Sequence, residues 1–199
     1  ANLKYLVYAP ESGSKKTLID IKKKIKLPKM EESIRYAVRE NISVRTNLII
    51  GFPKETRLQV YRTIYQQLKF MFMGVEESPM FLFQPYPGTE LFDYLIKKQK
   101  IKLDDEYFNS LASLSTGNLS PPDVTFNEYM GKYELFFYKM IGLVLGYSIS
   151  YITRPQRILR TIKNLFTDTS SSVMEQRLKD LLRKSNLFTQ YLKPFVVKI

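Results

Sequence analysis

The 199 residues carry 31 Lys/Arg against 19 Asp/Glu, a formal net charge of +12, with no Cys and no His. Without Cys, this chain has no disulfide, thiolate nucleophile or Cys-ligated zinc or iron–sulfur site; without His it has no Ser–His triad, no HExxH site and no side chain that titrates unperturbed near neutrality. Catalysis by these residues alone would rest on carboxylates, Lys or Tyr, and the length fits one domain or one domain with an appendage.

The chain starts at Ala1 and enters an apolar run at residues 3–9 with no charged leader, apolar signal core or cleavage site ahead of it. We expect Ala1 to be a cut inside a longer protein. Two further short apolar runs follow, residues 44–50 and 80–84, each of strand length and rich in β-branched or aromatic residues. Helical patterns separate them. Residues 15–24 read as a short helix, and Pro28 suits a first helical turn ahead of Met30, Ile34, Ala37 and Val38 at helical spacing. After the second run, Leu58, Tyr61, Tyr65, Leu68 and Phe72 form a stripe three and four apart, the signature of a helix with one apolar side turned to the core. A third helix starts at Glu90, after Pro87 and Gly88. The order β-α-β-α-β-α, with strands roughly 40 residues apart, favours a parallel sheet whose ligands meet the C-terminal strand ends.

Residues 99–125 read as a connector, with turn formers concentrated in 113–123. From Phe126 the pattern is helical. The uncharged run 140–152 is 13 residues long, short of the roughly 20 that a bilayer span needs, so a buried or interfacial helix is expected. Ile158, Leu159, Ile162, Leu165 and Phe166 then share one face, with Arg157, Arg160 and Lys163 off it; Val173, Met174, Leu178, Leu181 and Leu182 make another apolar face. The residues from Tyr151 onward hold ten Lys/Arg and three Asp/Glu, a surplus that suits an anionic membrane surface, a nucleic acid or simply a solvated helix.

The strand ends carry the polar residues. After the first run come Pro10, Glu11, Ser12, Gly13 and Ser14, which fit a ligand-holding turn and equally a helix start capped by Ser12 or Ser14. In the second, alternation puts Arg45, Asn47 and Ile49 on one face in line with Gly51. Polar groups turned inward there need partners: a ligand with a carboxylate and ribose hydroxyls, or Glu11 or another carboxylate for Arg45. Gly51 permits close backbone approach. After the third run, Gln84, Pro85, Tyr86, Pro87, Gly88 and Thr89 make a rigid turn that offers an amide and an aromatic ring, with Thr89 placed to cap the next helix.

Taken in order, PESGS at 10–14, RTNLIIGFPKET at 45–56 and PYPGTEL at 85–91 resemble the second half of the radical S-adenosylmethionine (SAM) core, in the branch of cobalamin-dependent enzymes and methylthiolases. The resemblance spans about residues 3–95. It implies an α/β fold, a half of a TIM-type (β/α)6 barrel at 1–98 supplying the fourth to sixth strands, then the connector 99–125 and a basic helical region at 126–199. It also implies SAM, a [4Fe–4S] cluster on a CxxxCxxC loop upstream, an electron-donor protein, an unidentified substrate and 5′-deoxyadenosyl-radical chemistry in the cytoplasm. Mapped by motif, Glu11 and Ser12 fall near the methionine or ribose part of SAM, Arg45 near its carboxylate and Asn47 near a polar group. Ile49 and Gly51 fall near the adenine, and Gln84, Pro85 and Tyr86 border the adenine or substrate. The cluster cysteines and first three strands are absent, so the chain alone is expected to be inactive; Asn47 departs from the family, which commonly has glycine there. The helix at 151–159 resembles the C-terminal helices of cobalamin-binding members, which implies cobalamin as a further cofactor and methyl transfer or rearrangement as the reaction.

The alternative is a non-catalytic basic module, with Arg154, Arg157, Arg160 and Lys163 on an anionic membrane surface or nucleic acid. The amphipathic pattern fits a peripheral membrane contact better, since no RNA-binding signature appears. A doubly wound nucleotide-binding fold is disfavoured by the lack of a GxGxxG or GxxxxGK[ST] loop.

Overall fold

The structure, a computed structural model, describes residues 3–113, 120–165, 167, 172, 175–176 and 178–180. The chain divides into two compact units, Ala1–Ile149 and Ser150–Ile199.

The first unit is α/β. Strands β1 (Tyr5–Glu11), β2 (Ser43–Ile50) and β3 (Met80–Leu82) form an open parallel sheet in the order β1-β2-β3. β2 registers with β1 from Ser43 against Tyr5 to Leu48 against Glu11, past an irregularity after Tyr8, and with β3 from Leu48 against Met80 to Ile50 against Leu82. The three apolar runs are these strands. They are apolar because one face is sealed: Val44, Thr46, Leu48 and Ile50 of β2 are buried, while Ser43, Arg45, Asn47 and Ile49 are only half-buried on the other face. On β1, Tyr5 and Val7 stay exposed.

Helices α1 (Lys15–Asp20) and α2 (Leu27–Arg39) link β1 to β2, and α3 (Arg57–Met73) links β2 to β3. Ser14 caps α1 by accepting the Thr17 N–H at 3.3 Å. Pro28 lies in the first turn of α2, where its missing N–H costs nothing. α3 starts on a Thr56–Gln59 capping box and ends on Gly74 at φ +108°. α2 and α3 seal the sheet with Ile34, Ala37, Phe70 and Met71 against Val44 and Leu48.

α3 reverses the sequence expectation. The stripe Leu58, Tyr61, Tyr65 and Phe72 faces outward, and Leu68 is half-buried. The inward side is built from Val60, Ile64, Phe70 and Met71 together with Gln59, Thr63, Gln66 and Gln67. Three of these side chains bond to other elements, Thr63 to the β1 turn, Gln66 to Glu31 on α2 at 2.9 Å and Gln67 to the Ser78 carbonyl at 2.6 Å, while Gln59 Nε2 and Gln67 Oε1 stay unpartnered. Lys69 closes on Glu31 at 2.7 Å. Burial works against charge on Glu31, but the Lys69 and Gln66 hydrogen bonds outweigh it and hold the carboxyl below its usual range.

The expected third helix is α4 (Glu90–Lys97), and the region read as a connector, 99–125, carries a helix that was not anticipated, α5 (Asp105–Ser113). With Phe52 and Phe83 they enclose a third apolar cluster, Phe92, Leu95, Ile101 and Tyr107. Residues 126–131 are not helical; α6 (Lys132–Thr153) starts after them. It runs parallel to α3, side by side: Arg57 meets Glu134 at 2.6 Å, the Tyr61 and Tyr138 hydroxyls meet at 3.0 Å, and Gly142 and Gly146 lie against Gln67 and Met71. Arg57 holds Glu134 below its ordinary pKa. Met130, Leu135 and Tyr138 complete the core over Ile50, Val60 and Ile64.

In the second unit, α7 (Gln156–Leu165) corrects one expectation, that Arg157 stands on the surface. Ile158, Leu159 and Ile162 are exposed, while Arg157 and Asn164 are buried. Arg157 donates to Ser150 Oγ, and Asn164 and Thr161 both donate to buried Glu175 at 2.8 Å. Phe166, Val173, Met174, Leu181 and Leu182 lie outside the described residues.

Gly13 is where the β1 turn meets α3. A Cβ there would stand 2.4 Å from the Arg62 carbonyl oxygen and 2.6 Å from Gln66 Cβ, whereas one at Gly131 meets nothing within 4 Å. Gly13→Ala should therefore lose roughly 2–3 kcal/mol in urea unfolding, against about 0.5 kcal/mol or less for Gly131→Ala. Equal losses would mean that the turn is not packed on α3 in this way.

Candidate functional site

The C-terminal strand ends gather the polar turns on one side of the sheet. At the end of β1, Glu11 adopts φ +65°, a left-handed conformation that a non-glycine residue rarely holds, and its carboxylate accepts from Lys23 Nζ at 3.0 Å. Ser12 is fully buried. Its hydroxyl bonds to Thr63 Oγ1 at 2.9 Å and accepts from Ser14 N at 3.1 Å, and Gly13 N donates to the same threonine at 3.1 Å. Ser12 thus fastens the turn to α3, and its hydroxyl points to Thr63.

On β2 the expected alternation holds. Arg45 Nε donates to Asn47 Oδ1 at 2.9 Å, so the two polar side chains act as one unit. The carboxylate that Arg45 finds is Glu77, at 3.6 Å, rather than Glu11. Ile49 packs at the edge of the third apolar cluster. Gly51 sits at φ +86°, and a Cβ there would come within 2.9 Å of Leu135 Cδ1, so the position demands glycine on both conformational and steric grounds.

Beyond Gly51 lies the residue that sequence reading missed. Glu55 is 2% exposed. Its carboxylate accepts from Gly51 N at 2.7 Å, Phe52 N at 3.3 Å and Thr17 Oγ1 at 3.3 Å. Asn127 locks the same loop from outside, its Nδ2 donating to the Phe52 and Glu55 carbonyls at 2.6 and 2.8 Å. Burial pushes the Glu55 carboxyl up to about 7, against the three donors, which lower it. Position within the GFPKET string was the only sequence signal for Glu55; Asn127, 72 residues away, had none.

At the end of β3, Gln84 donates to the Leu111 carbonyl at 2.8 Å and accepts from the Tyr86 hydroxyl, while buried Pro85 offers its carbonyl to Tyr107. α5 therefore fixes this turn. A cleft of about 600 Å³ opens here. Phe52, Phe83, Gln84 and Tyr86 wall it, with Glu55 at its base and Lys22 at the rim paired with Glu90 at 2.5 Å. Gln84 and Tyr86 line it as the turn chemistry led us to expect; Glu11, Ser12, Arg45, Asn47, Ile49 and Gly51 do not. The expected residues are thus not brought together: Arg45, Asn47 and Ile49 share the half-buried face of the sheet, Gln84 and Tyr86 line the cleft, and Glu11, Ser12, Gly51 and Pro85 lie in neither.

The chain matches no protein-family model and no curated protein.

Among the described residues, no group of three or more carboxylates, Cys or His is placed to hold a metal ion. With the absence of Cys from the sequence, these residues supply no ligand set for an iron–sulfur cluster. What the strand ends offer is a glycine-lined backbone and an aromatic cleft with one buried carboxyl; the guanidinium steadied by an amide stands apart, nearer the start of β2 and against Glu77.

Glu55 also sets a pH dependence. Its folded pKa lies above the ordinary 4.5, so its contribution to stability is full below pH 4.5 and is lost as pH rises through about 7. Urea unfolding should show wild-type stability falling by roughly 1–3 kcal/mol between pH 5 and 7.5, and Glu55→Gln should flatten that slope. Identical slopes would show that the carboxyl is not held in this buried form.

Proposed function

We propose that the chain is the C-terminal half of a radical SAM catalytic core, with β1, β2 and β3 as the fourth to sixth strands of a (β/α)6 barrel. The observation that carries this reading is the sheet itself. Its strands lie parallel in chain order, α2 and α3 cover one face, and the other face bears Arg45 and Asn47 half-buried. Consecutive parallel order with helices outside is what a barrel segment requires; half of a doubly wound sheet shares the order, and the strand-end motifs favour the barrel. In this reading the Arg45–Asn47 pair holds the SAM carboxylate by a charge-assisted bond, Ile49 and Gly51 lie against the adenine, and Gln84, Pro85 and Tyr86 close the far side. Glu11, in its left-handed turn, faces the methionine or ribose part, and Ser12 contributes by fastening that turn.

SAM bound beside a reduced cluster supplies radical chemistry; these residues position it and exclude water. The cluster ligands must come from outside the 199 residues, on the upstream half of the barrel, and an electron-donor protein would act there. Cobalamin, methyl transfer or rearrangement, and a cytoplasmic setting are carried by the resemblance of the motifs alone.

The test is the reading frame preceding the Ala1 codon. We expect an in-frame CxxxCxxC, and the complete polypeptide, prepared without oxygen, should bind SAM in equilibrium dialysis. Arg45→Ala should weaken that binding about tenfold, the worth of one charge-assisted contact. A frame that opens at Ala1, or SAM binding untouched by the substitution, would remove the reading.

A second reading has support in α7. Exposed Ile158, Leu159 and Ile162 lie on the same short helix as exposed Lys163 and half-exposed Arg154 and Arg160 flank or punctuate it. That is the make-up of an interfacial helix on an anionic membrane. Arg157 takes no part, being buried.

A further inference from the structure

Two helices of the first unit present apolar residues to solvent side by side. On α3 the exposed residues are Leu58, Tyr61, Tyr65 and Phe72; on α6 they are Tyr133, Phe137, Val144 and Leu145. All are between 44% and 69% exposed. Scattered exposed apolar residues mean little, but a contiguous patch marks a contact surface. Contiguity here follows from geometry. α3 and α6 run parallel and are joined along their length by Arg57–Glu134, Tyr61–Tyr138, Gln67–Gly142 and Met71–Gly146. Gly142 and Gly146 leave room for the Gln67 and Met71 side chains between the helices, so the two outer rows lie side by side. The Phe137 ring lies tilted, 6.1 Å from Tyr138, which meets Tyr61 on α3.

We infer that this α3–α6 face docks on an anionic lipid bilayer. Three observations select that occupant. First, charge: the two helices carry five Lys/Arg and one carboxylate, Glu134; Arg57 is engaged by Glu134, Lys69 by Glu31 on α2, and Lys139 is buried, which leaves Arg62 and Lys132 to face an anionic layer. The whole chain has a net charge of +12. A second copy placed on this face would bring like charges together, whereas an anionic headgroup layer attracts them. Second, composition: Tyr61, Tyr65 and Tyr133 cluster toward the N-terminal ends of the pair, and Phe72, Val144 and Leu145 toward the C-terminal ends. Tyrosine is the side chain that settles at a headgroup boundary, with its ring in the apolar layer and its hydroxyl in water. Third, α6 is long and apolar enough to cross a bilayer by length and composition, yet its Leu135, Tyr138 and Gly142 side packs against β2 and α3. It is therefore placed to lie on a membrane and not through it. The surface lies on the opposite side of α3 from the strand ends, and the inference does not depend on the SAM reading or on α7.

Vesicle flotation tests it, using the 199-residue chain with phosphatidylserine-containing and purely phosphatidylcholine vesicles at low and high salt. The expected result is salt-sensitive binding to the anionic vesicles, weakened tenfold or more in Tyr65→Glu/Phe137→Glu, whose circular dichroism should match wild type. A second variant, Leu159→Glu/Lys163→Glu, alters α7 alone and should retain most of the binding. The inference is overturned if wild type does not float, if the α3–α6 variant floats unchanged, or if binding disappears only with the α7 variant. It is equally overturned if sedimentation shows a dimer that the α3–α6 substitutions dissociate while vesicle binding is nil, which would assign the face to a second copy.

Discussion

Burying amides and hydroxyls is unfavourable unless each finds a partner, and α3 buries four such side chains on the side that faces the rest of the fold. Gln59 closes the helix start by accepting from Thr56 N at 2.7 Å. Thr63 holds the turn after β1, Gln66 holds Glu31 on α2, and Gln67 holds the chain entering β3. The turn after β1, helix α2 and the chain entering β3 are thus tied to α3 by directional bonds as well as by apolar contact, while β2 meets it through apolar contact. Apolar contact alone tolerates sliding; hydrogen bonds from fixed positions on one helix set the register of everything they touch. The position of the β1 turn, and of Glu11 within it, follows from Thr63 more than from the strand pairing, which is irregular there.

The same logic separates what was legible in the sequence from what was not. The strands were readable because a sheet sealed on one face by helices requires short apolar runs, and the alternation of Arg45, Asn47 and Ile49 against Thr46, Leu48 and Ile50 survives in the structure. The orientation of α3 was not. Leu58, Tyr61, Tyr65 and Phe72 repeat at helical spacing, and so do Val60, Ile64 and Met71, about a third of a turn or more away. Periodicity identifies a helix but cannot choose between two apolar rows. The decision came from Gln59, Thr63, Gln66 and Gln67, whose partners lie on other elements. α5 was hidden for a different reason: its buried anchors, Tyr107 and Ser110, are sparse in a stretch dominated by turn formers.

At the strand ends the division is similar. Gln84 and Tyr86 were readable as turn chemistry and do line the cleft. Ser12 was readable as a polar residue at a turn, but its partner Thr63 is 51 residues away, and no local pattern distinguishes a latch from a ligand contact. Glu55 acquires its character wholly from three dimensions. Its charge is disfavoured because Thr17, the Gly51–Phe52 backbone and the loop held by Asn127 exclude water from it, and only one of these lies beside it in sequence. The carboxyl in turn holds Gly51 and Phe52, so the shape of the cleft floor depends on a group whose protonation changes near neutrality.

An inward polar row on α3 has an unavoidable counterpart. The helix has one circumference, and the residues that secure the sheet ends take the side where an amphipathic helix would keep its apolar row. The aromatic row is displaced outward, where α6 extends it instead of covering it. Selection for a soluble monomer alone would replace Tyr65 or Phe72 by charged residues at no cost to the core, since both are more than 60% exposed. Their presence beside Phe137 and Val144, on helices nearly free of carboxylates, is intelligible if the outer side of α3 meets something apolar while its inner side fixes the turns. One helix then couples two surfaces: the turns at the strand ends on its inner side and the aromatic row on its outer side, with no flexible joint between them.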